Sequence, residues 1–193
     1  MTLRIALPLG AALLIGAGCA SPREHYYTLV APTPGLNRPA AATTHSVIVE
    51  RATLPDAEDR PQLVVEAAPQ QQAILEQERW IEPLAADLQR AVAARLAASL
   101  TDTAVLLAGD HGADPAGRHL YIQVRRFALR PEHGASLAAH WTILGADKAT
   151  LRAGDFAQDV VAGSRSYAAL VQAQSAAVAA LADELATQLR GLQ

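Results

Sequence analysis

LYIQVRRFALRPEHGASLAAHWTIL, residues 120–144, is the stretch that decides the fold class. Leu120, Ile122 and Val124 alternate with polar residues, the period of a strand with one buried face. The apolar positions then change phase to Phe127 and Leu129. One extra residue exchanges the two faces of a strand, so a bulge near Arg125 and Arg126 would account for the shift. Pro131 to Gly134 provide turn chemistry, after which Leu137, Ala139, Trp141 and Ile143 face one way. The stretch predicts an antiparallel hairpin whose apolar face needs a cover.

Working outward, Gly145 to Lys148 offer a second turn and Leu151 to Val161 a further strand. A long helix follows, with Leu170, Ala173, Ala177, Val178, Leu181, Leu185 and Leu189 on one face, Ser166 as cap and Gly191 as stop. In the other direction, Leu84, Leu88, Val92, Leu96 and Leu100 recur every four residues, with Pro83 suited to the first helical position. Fourfold spacing drifts around the helix, so Ala85, Ala91 and Ala98 are expected to widen the buried stripe, and Asp87, Gln89, Arg90 and Arg95 to form the wetter side. Tyr26 to Val30, Val47 to Leu54, Gln62 to Glu66 and Ala73 to Gln77 read as strands, the last two as a hairpin around Pro69. Two helices with six or seven strands predict an α+β fold: a two-layer domain with a largely antiparallel sheet and two principal helices.

The amino end reads differently. MTLR is a short basic start, Ile5 to Ile15 an apolar run, and Gly16, Ala17 and Gly18 are small residues before Cys19. A spanning helix needs about 20 apolar residues, more than this run supplies. The order is that of a secretion signal cut between Gly18 and Cys19, with acyl chains on the cysteine; Gly16 stands where the common lipobox has leucine. Residues 1–18 are therefore expected to leave, and residues 19–193 to form one domain behind a short tether. Cys19 is the sole cysteine, so no disulfide closes within one chain and the fold rests on its core. Each buried methylene of an acyl chain contributes about 0.8 kcal/mol, enough for stable anchoring when two or three chains are attached. Ala20 and Ser21 after the cysteine, rather than an aspartate, favour the outer membrane, with the domain facing the periplasm.

The charge balance is slightly acidic. The whole chain carries −3, and removal of residues 1–18 takes away Arg4 and no acidic residue, leaving the remainder one unit more negative. No clustered basic face points to nucleic acid. The six histidines show no metal-ligand spacing; His111 with Asp110 and Asp114 lies in a glycine-rich turn that reads as a solvated loop. GDHGADPAG lacks the Gly-Lys-Ser/Thr of a phosphate loop, and neither GxSxG nor HExxH is present. Glu78 and Glu82 read as electrostatic partners of the following helix rather than as an acid–base pair. The expectation is a protein without catalysis, cofactor or metal. Four residues stand out as partner contacts: Arg79 and Trp80 in RWIEPL, residues 79–84, and the Arg125–Arg126 pair.

YYTL (26–29), the strand Val47 to Leu54 with its LPD ending, DRPQLV (59–64), RWIEPL, the leucine-spaced helix after it, and Tyr167, Leu170 and Val171 together resemble the ABC-type transport auxiliary lipoproteins, the PqiC-like family. The residues before Arg60 depart from the family's usual tyrosine or leucine. The resemblance implies a non-catalytic subunit of an intermembrane lipid transport system. Its implied partners are an Mce-domain periplasmic protein and, directly or through it, an ABC transporter or multispanning protein of the inner membrane. It also implies contact with membrane lipid and allows homo-oligomerisation. A lipid-binding carrier, or a structural assembly factor of another envelope complex, are the alternatives.

Overall fold

The computed structural model describes residues 23–29, 45–110 and 116–192. The expected cleavage site, Cys19, Val30, His111 and Asp114 lie outside them. Among the described residues the chain forms β1 (His25–Tyr27), β2 (His45–Val49), β3 (Gln62–Ala68), β4 (Gln71–Trp80), α1 (Leu84–Ser99), β5 (Thr103–Leu107), β6 (Arg118–Arg130), β7 (Gly134–Leu144), β8 (Thr150–Val160) and α2 (Tyr167–Arg190). This is the expected α+β class with two helices, and with eight strands rather than six or seven.

The hairpin expected over residues 120–144 is the spine of the sheet. β6 and β7 pair antiparallel from His119↔Leu144 to Arg130↔Gly134, and the register slips between Val124 and Arg126. Arg125 is the extra residue, and the bulge returns Phe127 and Leu129 to the buried face of Leu120, Ile122 and Val124. Gly134, at φ +97, closes the turn where an added Cβ would lie 2.1 Å from the Val160 carbonyl oxygen, so no larger residue fits. β8 pairs antiparallel with β7 and β4 with β3. These antiparallel ladders are the long ones.

The sheet is nonetheless mixed. β2 lies parallel to both β5 and the start of β6, β3 touches β6 in parallel at Val65↔Leu129, and β1 runs parallel to β4. β2 and β3 thus follow one another along the same edge of β6, joined by the Thr53↔Gln123 bridge. Both helices pack on the apolar face, α1 against β2 and β5 and α2 across β6, β7 and β8. All seven α2 positions expected to be apolar and inward are buried, and the Ser166 hydroxyl accepts from the Ala169 amide at 3.2 Å as the expected cap.

α1 corrects three details. Pro83 is the N-cap, one place earlier than expected, and its carbonyl accepts from Ala86 and Asp87. Ala98 is exposed, and Ala93 is the small residue that is buried beside Ala85 and Ala91. Asp87 and Gln89, expected on the wet side, are buried, because each meets backbone that would otherwise lack a partner: Gln89 donates to the Val49 carbonyl at 2.8 Å.

Candidate functional site

The segments YYTL, DRPQLV and RWIEPL, distant in sequence, converge at one end of the sheet. β4 delivers Glu78, Arg79 and Trp80 beside β1, with His25↔Glu78, Tyr26↔Arg79 and Tyr27↔Trp80 in register. The Trp80 amide donates to the Pro61 carbonyl at 2.7 Å and the Ile81 amide to the Tyr27 carbonyl at 2.9 Å, which stitches the three segments together.

Two carboxylates fasten β1 and the residues after it. Glu78 accepts from the Tyr27 hydroxyl at 2.5 Å and faces His25 Nδ1 at 2.9 Å. Burial raises the Tyr27 phenol, with help from the hydrogen bond to Glu78, to about 12. For Glu78, burial opposes ionisation, but the Tyr27 hydroxyl and the His25 ring outweigh it and hold the carboxyl below its ordinary value. Asp87, 4% exposed, accepts from the Leu29 amide at 2.7 Å and lies 3.0 Å from the Thr28 hydroxyl. Its burial raises the carboxyl above the ordinary range even though both donors act the other way. Leu29 is itself buried, so the segment after β1 is plugged into the core and clamped from α1.

Beside this latch opens a cleft of about 420 Å³ lined by Arg51, Asp59, Arg60, Pro61, Trp80, Ile81, Glu82 and Pro83. Trp80, 5% exposed, forms its floor and meets Phe127 edge-on at 6.0 Å between ring centroids. Ile81 stands at its mouth, 64% exposed. Glu82 is engaged by Arg90 across the start of α1.

The four expected contact residues fall in two places. Trp80 is the cleft floor and Arg79, alongside β1, lies 3.5 Å from Glu24. Arg125 and Arg126 are exposed on the bulge; Arg125 reaches Asp155 at 3.0 Å, which also holds His140, and Arg126 reaches Glu66 at 2.7 Å. Sequence reading missed Asp87, Arg51 and Arg60; Arg60 sits inside DRPQLV, while nothing local marked Asp87 or Arg51. Among the described residues no group of three metal-ligating side chains comes together, and no helix is long and apolar enough to cross a membrane.

The profile of the family described as ABC-type transport auxiliary lipoprotein component matches residues 27–186. No curated protein matches in sequence. Among solved structures, an uncharacterised protein superposes with a TM-score of 0.73 at 17% identity, covering 87% of this chain and 99% of its own. A protein from Xanthomonas campestris does so with 0.66 at 18% identity, covering 88% and 100%. These two likenesses bear on the fold, and the profile match covers DRPQLV, RWIEPL and YYTL from Tyr27 onward. The chain belongs to the ABC-type transport auxiliary lipoprotein component family.

Proposed function

We propose that the protein is a non-catalytic docking subunit of an intermembrane lipid transport system, held to the outer membrane by acyl chains on Cys19 and working as one domain from residue 19 onward. Its partner in this reading is an Mce-domain periplasmic protein, which links it to an inner-membrane ABC transporter or multispanning protein. Family membership supports the transport-accessory role. The observation that carries the docking reading is the latch. β1 starts six residues after Cys19, and Glu78 and Asp87 fasten it and the residues behind it to β4 and α1. A domain that only needed to stay near a membrane could hang on a loose linker; one that must hold a partner at a set height gains from a stiff, short connection.

The carrier alternative needs room for an acyl chain between sheet and helices. That space is filled by Leu88, Leu120, Leu137, Ile143, Leu181 and Leu185, each fully buried. Isolation of the acylated protein from its native envelope in mild detergent, with mass spectrometry of proteins and lipids, separates the two. Recovery of an Mce-domain protein is the expected result. Lipid alone, in fixed ratio to a monomer, would sink the docking reading.

A further inference from the structure

Most described arginines of this protein have a partner: Arg165 pairs with Glu132, Arg118 donates to the Leu192 carbonyl and Arg152 to Gln188. Arg79, Arg90, Arg95, Arg125, Arg126 and Arg130 are each engaged by a carboxylate. Arg51 and Arg60 have no such partner among the described residues, and both line the cleft beside the latch. Arg60 is half-buried, and its Nε is fully enclosed with no hydrogen-bond acceptor from the protein. A half-buried guanidinium that faces no carboxylate favours an arriving anion. Two carboxylates also line the cleft. Glu82 is neutralised by Arg90, leaving exposed Asp59 against two arginines and a net positive charge. The start of α1 adds positive potential on the same side.

The remaining walls are apolar: Pro61, Pro83, the Trp80 ring and Ile81. An isoleucine left 64% exposed beside unpaired arginines suits a ligand that carries an anionic group and a hydrocarbon part on one molecule. Ile81 is also hydrogen-bonded to Tyr27, eight residues from Cys19. An extended chain covers about 3.3 to 3.6 Å per residue, so acylation at Cys19 would keep the cleft within roughly 30 Å of the bilayer surface. We propose that this cleft binds the phosphate headgroup of a phospholipid in the membrane to which the protein is anchored, with Arg51 and Arg60 on the phosphate and Ile81 against the glycerol and first methylenes. The volume suits a headgroup rather than a whole two-chain lipid, so the cleft orients the domain on its membrane and does not carry cargo. The inference rests on the anchoring part of the proposed function and is independent of the partner.

The test titrates dihexanoyl phosphatidylglycerol, below its micelle-forming concentration, into the mature acylated protein held in a neutral detergent, and reads binding by calorimetry. Inorganic phosphate and an uncharged glycolipid of equal chain length are run beside it. Saturable phosphatidylglycerol binding is expected, weakened roughly tenfold or more in R51Q/R60Q, because both charge-assisted contacts are lost. R51Q alone, a change at an exposed side chain without protein partners, should weaken it several-fold with unchanged thermal unfolding, which keeps the test valid if the double variant folds poorly. Equal binding by wild type and R51Q, or by the glycolipid, overturns the proposal. Equal binding and full competition by inorganic phosphate overturns the lipid assignment in favour of a free anion. The envelope pull-down is repeated with R51Q. Loss of the protein partner there, without loss of headgroup binding, assigns Arg51 to the partner surface and overturns its role here. Headgroup binding without any Mce-domain partner leaves this inference standing and removes the docking reading.

Discussion

Asp87 holds the chain that follows β1 through Thr28 and Leu29, at the cost of a buried carboxylate. Asp87→Ala strands the buried Leu29 amide and should lower stability by about 1–3 kcal/mol, whereas Asp87→Asn keeps an acceptor, removes the charge, and should stay within about 1 kcal/mol of wild type. Urea unfolding measures both, and equal losses would show that the amide bond is immaterial. The two latch carboxyls respond to acid in opposite directions. Glu78 is held below 4.5 in the folded state, so its contribution is present above 4.5 and is lost as pH falls through the lowered value. Asp87 is raised above 3.8, so its penalty at neutral pH is relieved as pH falls through the folded value, and the relief is complete below 3.8. Glu78→Gln should therefore flatten the fall of Tm below pH 4.5, and Tm curves for the variant and wild type that stay parallel there would refute the assignment. None of this was legible in the sequence. Asp87 occupies a polar position on an apolar helix, and its burial depends on an amide delivered from residue 29, which no local pattern encodes.

At the level of elements, the spacing of large apolar residues located both helices and the central hairpin, because leucine periodicity reports the face that must leave water. It did not reveal the parallel pairings. β2 and β3 share one edge of β6, an arrangement set by how the loop at residues 55–61 folds back, which alternation within a strand cannot report. The bulge is the most testable of the legible features. Deleting Arg125 leaves Val124, Arg126 and Phe127 in strict alternation, so the strand can pair without its extra residue. That deletion should keep cooperative unfolding and the native circular dichroism spectrum, while deleting Ala128 should throw Leu129 to the wrong face and abolish cooperative folding. Similar behaviour of the two deletions would mean that the register is not set by the apolar pattern. Trp141 belongs to the same ladder. Its ring lies over Gly154, where an added Cβ would approach to 2.6 Å, so Gly154→Ala should cost about 1–3 kcal/mol in urea unfolding through overpacking.

For the whole molecule, the proposed acyl anchor makes its distance from the folded domain the decisive quantity. Five residues, 20–24, lie between Cys19 and the start of β1, a span of about 20 Å when fully extended, and the latch fixes β1 to the rest of the sheet. The cleft lies on the same end, so a short tether would serve both the height at which a periplasmic partner is met and the engagement of headgroups. The two can be separated by inserting twenty Gly/Ser residues between Arg23 and Glu24. The insertion lies before β1 and should leave thermal unfolding unchanged. A flexible linker of n residues spans about 5–6 Å times the square root of n, so the domain would gain roughly 25 Å of freedom. Binding of soluble short-chain phosphatidylglycerol should be unaffected, because the cleft itself is intact. Recovery of the Mce-domain partner in the pull-down should fall several-fold as the docking height is lost. Undiminished recovery would mean that the partner is held by affinity alone, that the latch stabilises the fold without setting a distance, and that the short tether has no part in docking.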